Sequence, residues 1–183
     1  MNEHLLVVNE NDEIVRLDTK KNCHSGNGIL HRAITIFIFN EKNEILLTKR
    51  SSLKKLWPEF WDTSCSTHVR PDETYEQAGE RRLSEELGFS CKLKFIFKFQ
   101  YQANFQNIGS ENEICALLIG NYVGDINPNL NEVSEYKWID FIELKREINS
   151  QNNYSPWLKI AVEKYLKSGS ECMGKIAEIL PRT

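Results

Sequence analysis

The sequence predicts an α/β domain in which a mixed β-sheet is sandwiched between helices on both of its faces. Three observations lead there. Short β-branched and aromatic runs occupy both halves of the chain, one well-capped charged helix interrupts them near the middle, and further helical segments close the C-terminal part. Strands, a central helix, more strands and terminal helices pack as layers around one sheet. At 183 residues the chain is long enough for one domain with a proper core and too short to expect two, so the domain is taken to span residues 1–183.

Taken in order, Leu5 to Val8 and Ile14 to Leu17 are short β-prone runs around Asn9-Glu10-Asn11-Asp12, a hairpin over roughly residues 4–18. Lys20, Lys21, Asn22, Cys23, His24 and the glycine-bearing stretch SGNG lead to His31. Ile34 to Phe39 is a continuous apolar run expected as a buried strand, and Asn40 to Glu44 turns it into a second strand, Ile45 to Thr48. Arg50 to Lys55 is a polar basic loop ending in Leu56-Trp57-Pro58.

The segment from Trp61 then enters an expected loop holding Cys65, Ser66, Thr67 and His68. Pro71 and Asp72 break the chain, Thr74 with Gln77 reads as a capping box that opens a helix, and Gly88 is its expected stop. Leu93 to Phe105 alternates apolar and polar residues as a half-buried strand does, and Ile114 to Val123 is the next strand. Tyr136 to Ile139 leads into a helix over Phe141 to Ile148. Ser155, as N-cap, and Pro156, at the first helical position, open another that reaches about Leu166. A last amphipathic helix is expected from about Glu171 to Leu180.

Composition narrows the function classes. A net charge of −3 with dispersed basic residues offers no electrostatic footprint for nucleic acid. Five cysteines without paired spacing do not make a disulfide framework, and Cys23, Cys91, Cys115 and Cys172 are assigned ordinary packing roles. The start MNEHLLVVNENDE has no basic n-region or long apolar run, and no window reaches the length of a membrane span. The expectation is a soluble, reduced, cytoplasmic protein, a monomer or at most a dimer.

Two groups of residues carry chemistry. On the central helix Arg82, Glu85 and Glu86 stand at i, i+3 and i+4 and share a face. Two carboxylates beside a guanidinium suit either a solvated charged face or a Mg²⁺-diphosphate site, with hard oxygens for the metal and a fork for phosphate. Three histidines, His24, His31 and His68, together with Glu111 and Glu113, which period two puts on one strand face, make a donor set for a six-coordinate Mn²⁺, Mg²⁺ or Zn²⁺. Spacing alone does not bring the five together.

The stretch WDTSCSTHVRPDETYEQAGERRLSEELGF resembles a Nudix box, whose core reads R-E-U-x-E-E-x-G-U with U apolar; Glu73, Arg81, Leu83, Glu85, Glu86, Gly88 and Phe89 fall on fixed positions of the box over about residues 67–89. Thr67 replaces its first glycine, and Arg82 replaces the glutamate after the arginine. A diphosphate hydrolase wants a carboxylate at that second position to hold metal and activate water. A cation there suits a protein that holds the diphosphate intact. In this the chain resembles the type I isopentenyl-diphosphate isomerases, and the likeness extends through HRAITIFIFN, KRSSLKKLWP, the E-N-E segment at Glu111 to Glu113 and SPW, covering roughly Leu5 to Leu166.

That resemblance implies a Nudix-type fold and the conversion of isopentenyl diphosphate to dimethylallyl diphosphate. It implies that His24, His31, His68, Glu111 and Glu113 bind one metal, and that Lys20, Arg50, Lys54 and Arg82 grip the diphosphate with a Mg²⁺ bridging to Glu86. Trp157 would face the isoprenoid carbons. Glu113, assisted by Tyr101, would be one proton-transfer group, and a cysteine two residues before the loop histidine the other. Here that position is Ser66, with Cys65 one residue earlier. Ser66 with Glu113 then makes a slower isomerase, Cys65 enters if the loop is irregular, and loss of turnover leaves a binder. A Nudix hydrolase of another diphosphate is the rival enzyme class, which Arg82 disfavours.

Overall fold

The computed structural model describes residues 3–168; the helix expected over residues 171–180 and Cys172 lie outside them. Strands β1 (His4–Val8) and β2 (Ile14–Thr19) form the expected antiparallel hairpin. The side chain of Asn9 turns it by accepting from the backbone N–H groups of Asn11 and Glu13. A single turn, α1 (Lys20–Cys23), follows, capped by the Thr19 hydroxyl. Strand β3 (His31–Phe39) is the hub of a nine-stranded sheet. Antiparallel to it run β1, β4 (Ile45–Arg50) and β6 (Cys65–His68), the last after the two-residue β5 (Trp61–Asp62). After the central helix α2 (Tyr75–Leu87), β7 (Leu93–Phe105) and β8 (Gly109–Asn121) form a long hairpin, with β8 parallel to β3 along nine residue pairs. Strand β9 (Val133–Ile139) joins the sheet beside β4, and α3 (Phe141–Ser150) and α4 (Pro156–Lys167) complete the described chain.

Helices cover both faces, as expected. Alternation along β3 sends Ala33, Phe37 and Phe39 to one side, where Leu144 and Ile148 of α3 and Leu158 and Val162 of α4 pack. It sends Ile34, Ile36 and Ile38 to the other, against Ala78, Leu83 and Leu87 of α2. Each fully buried leucine contributes about 1.5–3 kcal/mol through removal from water, enough to hold the charged face of α2 in a fixed orientation. The capping box at Thr74 and Gln77 is present, and Gly88 ends the helix with φ 75°, a left-handed conformation that glycine adopts without strain.

Four local expectations are corrected. Cys65 to His68 is a strand, not a loop, because its backbone pairs with Ala33 to Ile36 of β3. Strand β8 begins at Gly109, so Glu111 and Glu113 lie within it rather than at its edge. Arg50 is the last residue of β4 rather than the first of a loop. Ser155 stands at the N-cap of α4 but makes no capping bond; its hydroxyl donates instead to Asp62 at 3.2 Å.

The hairpin tip has a tertiary function. Asp12, at φ 61°, takes Arg32 Nε at 2.8 Å and the Tyr75 hydroxyl at 2.8 Å, and Lys98 also pairs with it, so one carboxylate ties β3, α2 and β7 to the hairpin. Burial would raise the Asp12 carboxyl, but the bonds from Lys98, Tyr75 and Arg32 outweigh it and hold it below its ordinary value of 3.8. A depressed folded-state value contributes stability above pH ~4 that is lost as pH falls toward the folded value. Asp12→Asn is expected to cost about 1.5–3 kcal/mol in urea unfolding at pH 7 and to flatten the acid limb of the stability profile. Equal stability of the two proteins at pH 7 would refute the clamp.

Candidate active site and metal centre

A cavity of about 430 Å³ lies at one end of the sheet, bounded by β4, β6, β7, β8 and the start of α4. Four members of the His/Glu group line it, and the fifth, His31, is wholly buried beside them. His24 follows α1, His31 opens β3, His68 ends β6, and Glu111 and Glu113 project from β8. Sheet register assembles them: Glu113 lies opposite His31 on one side and opposite Tyr101 on the other. The Ser110 N–H donates to the His24 carbonyl at 3.0 Å, and Gly109 permits this approach, since a Cβ there would sit 2.7 Å from that oxygen. One ligand atom from each of the five residues lies within 4.8 Å of all the others.

The group fits a divalent cation on its own geometry. His31 Nδ1 is 2.7 Å from the Ile29 carbonyl and therefore carries the proton, leaving Nε2 with a lone pair aimed inward. His24 Nε2, His31 Nε2 and Glu111 Oε2 are buried without a hydrogen-bond partner, although His24 Nε2 and Glu111 Oε2 are only 2.8 Å apart. Inward-facing polar atoms that satisfy nothing in the protein are costly unless a ligand meets them.

Electrostatics agree for two of the three rings. Burial, reinforced by the charge of His31, pushes His24 down to about 4, and burial pushes His68 down to about 3, so both rings are neutral, as metal ligands must be. Burial opposes the charge on His31 too, but its hydrogen bond and charge interaction with Glu113 raise it above the ordinary range. Burial and the neighbouring Glu113 charge push the Glu111 carboxyl well up. Glu113, also opposed by burial, is held well down by its bonds with His31 and His68. Two carboxylates this close ionise together only if positive charge lies between them. The Tyr101 hydroxyl donates to Glu113 Oε2 at 2.6 Å, and burial with the Glu113 charge keeps that phenol protonated.

The cavity is also lined by cations. Lys20, Arg50, Lys54 and Arg82 all line it. Each has an acidic partner: Lys20 Nζ is 2.9 Å from Glu3, Arg50 Nη1 is 3.0 Å from Asp62, Lys54 pairs with Glu132, and Arg82 pairs with Glu85 at 2.7 Å and with Glu86. Glu86 itself is buried behind Arg82 and does not line the cavity. Glu132, which lies 3.4 Å from Arg82 as well, escaped the sequence reading because nothing in the loop NPNLNEVSE marks it.

Trp157 and Ser66 line the cavity as well. Trp157 is 3% exposed, packs edge-on against Trp57, and has the Arg50 guanidinium 5.2 Å from its ring centroid. Ser66 lies opposite Thr35 in the β3–β6 ladder and opens to the cavity. Cys65 lies opposite Ile36 and is buried in the core beneath α2, where burial and the Glu86 charge push its thiol well up. The two neighbours point to opposite faces because the segment is extended.

The sequence matches the NUDIX domain over residues 29–158. It is 35% identical to isopentenyl-diphosphate Delta-isomerase 1 of Aromatoleum aromaticum, over 97% of this chain and 100% of that protein. This chain belongs to the Nudix family, among the isopentenyl-diphosphate Delta-isomerases. Isopentenyl-diphosphate Delta-isomerase 2 of Photorhabdus laumondii is 38% identical to this family member over 87% of the chain and 90% of its own length. In fold, the crystal structure of DR0079 from Deinococcus radiodurans superposes with a TM-score of 0.71, covering 88% of this chain and 98% of that one at 24% identity. The Nudix α/β sandwich expected from the sequence is therefore the fold observed. No helix among the described residues is long and apolar enough to cross a membrane.

Proposed function

We propose that the protein isomerises isopentenyl diphosphate to dimethylallyl diphosphate by adding a proton at one carbon and removing one from another. The observation that supports this best is the lining of one cavity: four cations, the Trp157 indole, and a carboxylate hydrogen-bonded to a phenol at 2.6 Å. Lys20, Arg50, Lys54 and Arg82 bind the diphosphate in this reading, and the existing acid partners keep them oriented before it arrives. The hydrocarbon tail then lies along Trp157, whose ring face stabilises positive charge at the tertiary carbon. The buried aromatic lining excludes water that would trap the cation.

Proton transfer is assigned to Glu113 with Tyr101 on one side and to Ser66 on the other. Cys65 is a poorer candidate, because its thiol is buried in the opposite core. A serine hydroxyl is a weaker acid than a thiol, so turnover is expected to be slower than in relatives with cysteine at this position. His24, His31, His68, Glu111 and Glu113 hold Mn²⁺, Mg²⁺ or Zn²⁺ in this reading, and the bound ion would supply positive charge that keeps Glu113 ionised and oriented. Glu86 would help hold a Mg²⁺ that neutralises diphosphate charge once Arg82, its present partner, turned to the phosphate oxygens. The protein is taken as a cytoplasmic monomer acting on a free isoprenoid diphosphate.

An NMR time course of isopentenyl diphosphate in D₂O, with Mg²⁺ and Mn²⁺ supplied, tests the reaction. Deuterated dimethylallyl diphosphate is expected, formed faster by Ser66→Cys. An unchanged spectrum with substrate bound would overturn the isomerase reading. Release of phosphate or diphosphate would identify a hydrolase instead.

A further inference from the structure

Asp62 ends β5 beneath the cavity, is 3% exposed, and is itself no part of the cavity wall. Five donors converge on its two oxygens. Oδ2 accepts from Arg50 Nη1 at 3.0 Å. Oδ1 accepts from the Trp157 indole Nε1–H at 2.5 Å, the Thr63 N–H at 2.7 Å, the Ser155 hydroxyl at 3.2 Å and the Ser66 hydroxyl at 3.3 Å. Three of these donors, Arg50, Trp157 and Ser66, face the cavity and come from β4, α4 and β6, three segments far apart in sequence whose cavity-facing side chains meet at this carboxylate.

Two features mark this as more than an ordinary buried ion pair. Ser155 leaves the N-terminus of α4 without a side-chain cap in order to reach Asp62, giving up a bond typically worth about 1 kcal/mol to that helix. The Ser66 hydroxyl also lies 2.8 Å from Thr63 Oγ1 and 3.0 Å from Thr35 Oγ1. Because a carboxylate only accepts, the Ser66 hydroxyl is the donor in its contact with Asp62.

We propose that Asp62 is a positioning residue that locks Arg50, Ser66 and Trp157 into one substrate-facing unit, coupling the diphosphate end of the cavity to its hydrocarbon end. Naming those two ends rests on the isomerase reading; the coupling itself does not. Arg50 keeps two further anchors, the Leu56 and Trp57 carbonyls, so loss of the carboxylate reorients the guanidinium without freeing it. Asn at position 62 preserves size and one acceptor oxygen but sets an amide opposite Arg50 and removes the charge that Trp157 and Ser66 bond to.

The test uses the full chain, inorganic diphosphate with Mg²⁺ as the probe, and the Trp157 indole Nε1–H resonance assigned with Trp157→Phe. Asp62→Asn is expected to weaken diphosphate binding about tenfold and to move the indole resonance upfield. In the isomerisation assay it raises KM and lowers kcat together, and its kcat effect is less than additive with Ser66→Ala. Wild-type values for either diphosphate affinity or the indole resonance in folded Asp62→Asn would overturn the coupling. Should that variant fail to fold, Ser155→Ala removes one neutral donor from the same oxygen. A smaller indole shift is then expected, and none would overturn the proposal. If the wild-type protein binds diphosphate and the Asp62→Asn shifts appear without turnover, the isomerase reading falls and the positioning role stands.

Discussion

Metal-free protein, prepared with a chelator, is expected to melt about 5–10 °C below metal-replete protein and to have no isomerase activity. The origin is the unsatisfied interior at His24, His31 and Glu111, whose inward nitrogens and oxygen have no partner within the protein. A cation that binds only the folded state stabilises it by about 2.7 kcal/mol at one hundred times its dissociation constant. In a domain of this size each kcal/mol moves the melting temperature by roughly 2–4 °C. Thermal unfolding with Mn²⁺, Mg²⁺ or Zn²⁺ added back to the chelated protein measures the shift and ranks the ions. His31→Ala should abolish it, because His31 is wholly buried and its ring is fixed by the Ile29 carbonyl. Identical melting with and without divalent ions would eliminate the metal centre.

Glu113→Gln is expected to lower kcat by about 10²- to 10⁴-fold, the range for a lost general acid–base group. The reason lies in the surroundings of the carboxylate. Its Oε2 accepts a hydrogen bond from the Tyr101 hydroxyl at 2.6 Å, and its Oε1 lies 3.4 Å from His31 and 3.3 Å from His68. A carboxamide retains the shape but cannot carry a transferable proton. Binding of inorganic diphosphate, measured by calorimetry, should be nearly unchanged, since Lys20, Arg50, Lys54 and Arg82 pair with other carboxylates and not with Glu113. Because Glu113 also belongs to the metal group, metal content must be measured on the same sample, with Glu111→Gln as the comparison. A metal-loaded Glu113→Gln protein that turns over at the wild-type rate would remove Glu113 from the chemistry.

Much of this architecture was legible because it is locally encoded. The helix from Tyr75 to Leu87 carries its own start at Thr74 and Gln77 and its own stop at Gly88, and its apolar and charged faces follow from a 3.6-residue period. Alternation from Leu93 to Phe105 marked β7, although a bulge between Phe95 and Phe97 breaks it and sends Phe95 to the core under α2, and the two-residue spacing of Glu111 and Glu113 put both on one face. The family's motif linked the scattered histidines, which spacing alone did not. The segment Cys65 to His68 was misread because it has no strand pattern of its own. It is extended only because β3 offers it a ladder. That pairing separates Ser66 from Cys65, sending one to the cavity and the other to the opposite core.

The sequence by itself determined the layer order, the boxed helix and the inventory of histidine, carboxylate, cation and aromatic side chains, since each is written in neighbouring residues or in a matched motif. Only the tertiary structure decided which of those groups share a cavity, that Glu86 sits behind Arg82, and that Asp12 and Asp62 act as hubs. An aspartate gains such a position from donors brought to it by sheet register and helix docking. Trp157 reaches Asp62 from 95 positions away, a distance over which no local periodicity carries information.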